Sequence, residues 1–345
     1  MNAAIIGGTG YGANELIRLL DKHPLVNVKS VISNSQANTE IKQVFPHLTD
    51  LVFYSFDEFD IHNLKREVDL VFFATPSGIS KEMIPKCIEN RLKCVDLSGD
   101  FRFTNPKVYE TWYSKPPAAQ SYLNEATYGL SELYESEIKR SSLIANPGCY
   151  PTATLLGLVP LLKKGWAELG SIVIDGKSGV SGAGRSLSAN THYAEINENV
   201  KAYKLGAHQH IPEIEQILAS ESQEHVKVSF TTHLVPMTRG LMCTISVQLK
   251  KSLTTKEIID YYQSVYEAHP FVRVRSEGVI PSTKDVYTSN FCDIGLHYDS
   301  RTGRLTIISV IDNLVKGAAG QAIQNVNLMN GWDERTGLMN IPVYP

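Results

Sequence analysis

One cysteine stands apart from the other four. In Ala145-Asn146-Pro147-Gly148-Cys149-Tyr150-Pro151-Thr152 a strand ends in a Pro-Gly turn and Pro151 suits the first turn of a helix, so Cys149 is expected at a helix N-terminus. The N–H groups and dipole there favour a thiolate, which is what a nucleophile requires, and the same N–H groups can hold an oxyanion on an attacked carbonyl. His208 and His210 lie in Gly206-Ala207-His208-Gln209-His210-Ile211-Pro212-Glu213, a polar segment bounded by glycine and proline. Either can deliver a proton at neutral pH, because imidazole titrates near about 6.5. No further Cys, His or carboxylate stands at ligand spacing from this pair, so no metal site is expected.

An acyl or phosphoryl substrate needs fixed positive charge and backbone donors. Arg102, in Asp100-Phe101-Arg102, follows a strand end, and its planar guanidinium suits bidentate phosphate binding. The stretch from Lys177 to Arg185 holds Ser178, Gly179 and further glycines able to form an anion-binding backbone nest. Ser178, Gly179 and Glu213 are grouped with Arg102 as substrate or phosphate residues.

A second chemistry sits at the start of the chain. Gly7, Gly10 and Ala13 fit G-x-x-G-x-x-A between a strand and a helix, the spacing that lets backbone approach a pyrophosphate at a helix N-terminus. Thr9, Tyr11 and Gly12 line the same loop. NAD sites carry an acid roughly 20 residues further on, where this chain has Ser33-Asn34-Ser35. Hydroxyl and amide groups at Ser33 and Asn34 tolerate a 2′-phosphate, so NADP(H) is the expected cofactor. Thr75 and Pro76, after the strand at 69–74, are expected at its nicotinamide end.

These residues need a scaffold. Apolar runs at 3–6, 26–32, 69–74, 93–97 and 142–145 read as buried strands, with helices at 13–20 and 79–90, which implies a Rossmann-type parallel sheet. Beyond Cys149, runs at 171–175, 226–234, 241–250 and 304–311 have few helices between them, so an α+β domain with a mostly antiparallel sheet is expected. Asp299 to Gly303 reads as a turn, and Thr254-Thr255-Lys256-Glu257 opens a helix to about 268. A helix from about 314 to 329 can pack on either domain.

With 345 residues the chain suits two domains, and 43% hydrophobic with 20% charged residues is ordinary for a globular protein. A net charge of −3 with scattered cations argues against a nucleic-acid partner. No apolar run approaches the roughly 20 residues that cross a bilayer and the start lacks a secretion signal, so no membrane partner and a cytoplasmic location are expected. Five cysteines without paired spacing fit reduced thiols, four of them plain buried residues.

Several blocks together resemble the N-acetyl-γ-glutamyl phosphate reductases, relatives of aspartate-semialdehyde dehydrogenase, over nearly the whole chain. They are Gly-Gly-Thr-Gly-Tyr-Gly at 7–12, Asp-Leu-Ser-Gly-Asp-Phe-Arg at 96–102, Tyr-Gly-Leu-Ser-Glu at 128–132 and Asn-Pro-Gly-Cys-Tyr-Pro-Thr at 146–152. His-Gln-His-Ile-Pro-Glu at 208–213, His-Leu-Val-Pro-Met-Thr-Arg-Gly at 233–240 and Asp-Asn-Leu-Val-Lys-Gly-Ala-Ala-Gly-Gln-Ala at 312–322 complete the set. The resemblance implies that Cys149 is acylated, that the His208/His210 segment supplies the acid–base group and that Asn313 to Gly317 closes over the nicotinamide. It also implies that the last helix returns to the cofactor domain, giving 1–148 with 313–345 for the dinucleotide and 149–312 for catalysis and dimerisation. Its partners would be an acyl phosphate and inorganic phosphate, in a homodimer or homotetramer serving arginine biosynthesis. Gln209 departs from the family pattern, which has arginine between the histidines. Reduction of an aminoadipyl or aspartyl phosphate, a non-catalytic NADP-binding sensor and a cysteine hydrolase are the competing readings.

Overall fold

The computed structural model describes residues 1–52 and 55–345, in two compact units. The first comprises Met1–Pro147 with Ala318–Leu338, the second Gly148–Gly317 with Met339–Pro345.

The first unit carries β1 (Asn2–Ile6), β2 (Asn27–Ile32), β3 (Phe56–Asp57), β4 (Leu70–Phe73), β5 (Lys93–Asp96), β6 (Thr127–Tyr128) and β7 (Leu143–Ala145). They form one sheet in the order β3-β2-β1-β4-β5-β7-β6, and every pairing is parallel. β4 and β7 are buried at every residue, as strands covered on both faces must be. The chain leaves β1 toward β2 on one side while β4 lies on the other, which creates the switch point where open α/β sheets bind ligands. Helix Tyr11–Leu20 follows β1 and helix Ser80–Glu89 follows β4.

Helix Gly320–Met329, whose docking the sequence leaves open, lies in this unit and is buried at every residue. Its polar side chains are matched: Asn325 Nδ2 donates to Gly129 O and Asn146 Oδ1, and Gln321 Nε2 donates to Ser131 Oγ. A π-helical turn, Val315–Ala319, precedes it.

The second unit carries β8 (Val173–Gly179), β9 (Lys201–Tyr203), β10 (Ser229–Val235), β11 (Leu241–Gln248), β12 (Val272–Val274), β13 (Cys292–Asp299) and β14 (Arg304–Ile311). Their order is β12-β13-β14-β11-β8-β10-β9. The sheet is mixed, which corrects the mostly antiparallel one expected: β8 pairs β10 and β12 pairs β13 in parallel. The connection from β8 to β10 contains helix His210–Ser222 and returns the chain to the starting end of the sheet, as a parallel neighbour requires. β13 escaped the sequence reading because its first five residues are all buried, leaving no period-two alternation.

Helix Cys149–Lys163 is buried from Tyr150 to Leu162. A Cβ on Gly157 would lie 3.2 Å from Ile245 and 3.3 Å from Ile307, so glycine lets the helix seat against β11 and β14. Pro160 cannot donate to the Leu156 carbonyl, and the Tyr266 hydroxyl does so instead. Tyr266 ends helix Thr255–Tyr266, which opens with the Thr254/Glu257 capping box that the sequence predicts. No helix among the described residues is long and apolar enough to cross a membrane.

Candidate active site

In the first unit the glycine loop is set by close approach. Gly7 has φ +90°, and a Cβ there would lie 2.5 Å from the Ala74 carbonyl oxygen. Gly8, which the spacing rule passes over, is equally constrained, since a Cβ would meet Val31 at 2.7 Å. Its signal was the Gly-Gly pair itself. Gly10 and Gly12 have room for a Cβ, so their glycines are not demanded by protein neighbours. Gly10 caps helix Tyr11–Leu20 with extended backbone and no side-chain bond, leaving the first-turn amides to whatever sits at the loop. Thr9 and the partly exposed Tyr11 belong to the same turn.

Thr75 follows β4 beside this loop, and its Oγ1 is buried without a protein partner, as is Asn14 Oδ1. Two orphaned acceptors and uncapped amides beside the switch point fit a dinucleotide. Pro76 is exposed next to Thr75. At the end of β2 the Ser33 and Ser35 hydroxyls lie 3.3 Å apart, and Asn34 is exposed with Oδ1 accepting from Phe59 N–H.

Asp100, unremarked in the sequence reading except as part of a block, organises the loop after β4. Its buried carboxylate accepts from Gly78 N–H, Ser80 Oγ, Lys81 N–H and the Tyr109 hydroxyl. Nearby Asp96 is pushed up to about 6 by burial and then by the Asp100 charge. Arg102 is buried beyond the ends of β5 and β7: Nε donates to Asn146 O at 2.8 Å and Nη2 to Leu97 O at 3.2 Å.

In the second unit Cys149 opens its 15-residue helix, and it is the partly exposed cysteine while Cys87, Cys94, Cys243 and Cys292 are buried. Gly148 N–H donates to Glu213 Oε1 at 2.8 Å. The His210 ring lies over Gly148 so closely that a Cβ there would be 2.4 Å from Nε2. Gly317 closes the other side, where a Cβ would be 2.7 Å from Cys149 Cβ. Glycines on both sides of Cys149 therefore admit an imidazole and a loop that no other residue would.

His208 is a different kind of histidine. Its Nδ1 accepts the His210 backbone N–H at 3.1 Å, and its ring is boxed by Tyr150, Tyr203 and Phe230. Burial, and then the Lys204 charge, lower its pKa to about 3, so it stays neutral through the physiological range.

The loop after β8 is built differently from an anion nest. The N–H groups of Gly179, Val180 and Ser181 donate to the carbonyls of Gly240, Met237 and Thr238, and Ser178 Oγ donates to Gly179 O. Asn313 locks the same region, with Nδ2 donating to Ser181 Oγ and Oδ1 accepting from Gly240 N–H. An anion there would be met by other donors. No cluster of metal-ligating side chains exists among the described residues.

A parallel nucleotide-type sheet in one unit and, in the other, a partly exposed thiol opening a helix are each features of dinucleotide-dependent oxidoreductases that work through cysteine. The model of the semialdehyde dehydrogenase NAD binding domain matches residues 2–141, and that of the dimerisation domain matches 149–313. N-acetyl-gamma-glutamyl-phosphate reductase of Oceanobacillus iheyensis is 53% identical over 344 residues, covering 99% of each chain. The Geobacillus kaustophilus protein of that name is 52% identical over 345 residues, covering all of both. The chain belongs to the semialdehyde dehydrogenase family, within its N-acetyl-gamma-glutamyl-phosphate reductase branch. Aspartate semialdehyde dehydrogenase II of Vibrio cholerae, complexed with ASA, shares the fold at TM-score 0.72 and 16% identity over 96% of this chain and 98% of that one. The Candida albicans enzyme with NADP has TM-score 0.70 and 17% identity over 95% and 98%.

Proposed function

We propose that this chain catalyses the NADPH-dependent reductive dephosphorylation of N-acetyl-L-glutamyl 5-phosphate to N-acetyl-L-glutamate 5-semialdehyde, a step of arginine biosynthesis. Identity of about half with reductases of that name, over full length, supports the substrate. The observation that carries the chemistry is the His210 imidazole packed on Gly148, beside Cys149.

The helix N-terminus favours the thiolate of Cys149, which attacks the acyl carbon. A C–S bond forms, the C–O bond to phosphorus breaks, and phosphate leaves with both electrons. NADPH, when bound, supplies the hydride that reduces the resulting thioester. His210 protonates the oxygen that becomes negative and takes the proton back as the C–S bond breaks, releasing aldehyde and thiolate. His208, neutral and boxed, positions His210 through the bond to its N–H. Arg102, its guanidinium fixed by two carbonyls, is the proposed charge for phosphate.

Gly7, Thr9, Gly10, Tyr11, Gly12, Thr75 and Pro76 would hold the cofactor, and Ser33 and Asn34, without an acid, would admit its 2′-phosphate. Asn313 and Gly317 act in this reading by shaping the loop against Cys149. The proposed dinucleotide-binding part is 1–148 with 313–345 and the catalytic and dimerisation part 149–312, although 148, 313–317 and 339–345 fall in the second compact unit. A cytoplasmic homodimer or homotetramer belongs to the same reading, and the dimerisation-domain match supports the assembly.

The test is NADP⁺ reduction by N-acetylglutamate 5-semialdehyde with and without phosphate, on wild type and Cys149→Ser. Phosphate-dependent turnover lost in the variant is expected. A higher kcat/KM with aspartate or aminoadipate semialdehyde would overturn the substrate assignment.

A further inference from the structure

Two cations of the second unit are held by neutral acceptors, Lys201 by Asn190 Oδ1 at 2.7 Å and Lys204 beside the histidine segment. Lys177 pairs with Asp175 at 2.7 Å. Lys204 instead donates to a neutral acceptor, Gln209 Oε1, at 2.8 Å, and among the described residues no carboxylate lies within ion-pair distance of it. Its backbone takes φ +48°, a left-handed conformation unusual for lysine.

Gln209 is the N-cap of helix His210–Ser222 yet makes no side-chain cap bond, so its amide oxygen serves Lys204 rather than the helix. The neighbours of this pair lead to the thiol. Gln209 lies between His208 and His210, and His210 covers Gly148. On the other side Tyr203 precedes Lys204, its hydroxyl is 3.4 Å from that of Tyr150, and Tyr150 follows Cys149. The Lys204 charge is felt at His208, where it adds to the lowering by burial.

We propose that Lys204, positioned by Gln209, is the cation that receives an anionic oxygen group of the substrate at the thiol, either its phosphoryl group or its carboxylate. The proposal rests on Cys149 being the nucleophile. An ion pair with aspartate would cancel the charge; the Gln209 amide directs the ammonium without cancelling it. The remaining ammonium hydrogens can donate to an arriving anion. The other four cysteines are buried, so alkylation reports on Cys149 alone.

The experiment compares alkylation of the full-length protein by iodoacetate, which is anionic, and iodoacetamide, which is neutral, in wild type, Lys204→Met and Lys204→Arg. Lys204→Met is expected to slow iodoacetate roughly five- to tenfold while changing iodoacetamide less than about twofold, with Lys204→Arg near wild type. In the semialdehyde-oxidising assay Lys204→Met should raise one KM about tenfold at little changed kcat. A raised KM for phosphate identifies the phosphoryl group, and a raised KM for the semialdehyde identifies the carboxylate. An unchanged reagent ratio with normal Cys149 alkylation overturns the role of Lys204 alone. A Cys149 inert to both reagents in wild type overturns the nucleophile and this inference with it.

Discussion

Glu213 Oε1 accepts the backbone N–H of Gly148 at 2.8 Å, joining the first turn of the histidine helix to the residue that caps the cysteine helix. Glu213 is wholly buried, so this bond is worth more than its surface equivalent, and its loss leaves a buried donor unmet. Glu213→Ala should lower stability by roughly 1–3 kcal/mol and depress kcat at least about tenfold. Glu213→Gln, which keeps an acceptor oxygen, should recover most of the stability. Denaturant unfolding and steady-state kinetics on both variants check this.

Gly148→Ala tests the packing of imidazole against the cysteine turn. The added carbon would meet His210 Nε2 at 2.4 Å, so the ring must move. A displacement of that kind costs about 100-fold in kcat, while NADPH binding followed by fluorescence should be unchanged. Near-normal kcat would mean the imidazole is not the working group.

The acid limb of stability should carry the signature of His208. Its folded pKa is about 3, below the usual value, so between about 6.5 and 3 the unfolded chain binds a proton that the native state refuses. Stability therefore falls as pH falls through that window. His208→Asn retains an acceptor for His210 N–H and cannot titrate, so its Tm should fall less than wild type between pH 6 and about 4.

Asp96 works in the opposite sense. Burial and then Asp100 raise its carboxyl to about 6, so the folded state holds a proton that the unfolded chain has lost above about 4. Its contribution is fully present at low pH and is lost as pH rises through 6. Asp96→Asn keeps an acceptor for Ser98 N–H and should raise Tm at pH 7.5 more than at pH 5, read by calorimetry at the two values.

Asn34→Asp tests the cofactor choice. A carboxylate at the exposed end of β2 would repel a 2′-phosphate and accept from a 2′-hydroxyl. The ratio of kcat/KM for NADPH over NADH should drop at least about tenfold. An unchanged ratio would place 2′-phosphate discrimination at other residues.

Local chemistry was legible in the sequence wherever its cause lay within a few residues. The glycine loop after β1, the Pro-Gly turn before Cys149 and the Thr254 capping box all follow from backbone geometry that neighbouring residues dictate. So did the parallel sheet, since short apolar strands alternating with helices admit few other arrangements.

The tertiary structure alone gives His208 its desolvated, neutral character. His208 and His210 share a segment, but Tyr150, Tyr203 and Phe230 desolvate the first, and those rings come from three other parts of the chain. The Glu213 bond to Gly148 spans 65 residues, and the parallel pairing of β8 with β10 depends on where an intervening helix returns the chain. Burial and pairing of this kind are properties of the closed chain, whereas turns, caps and glycine approaches are written in consecutive residues.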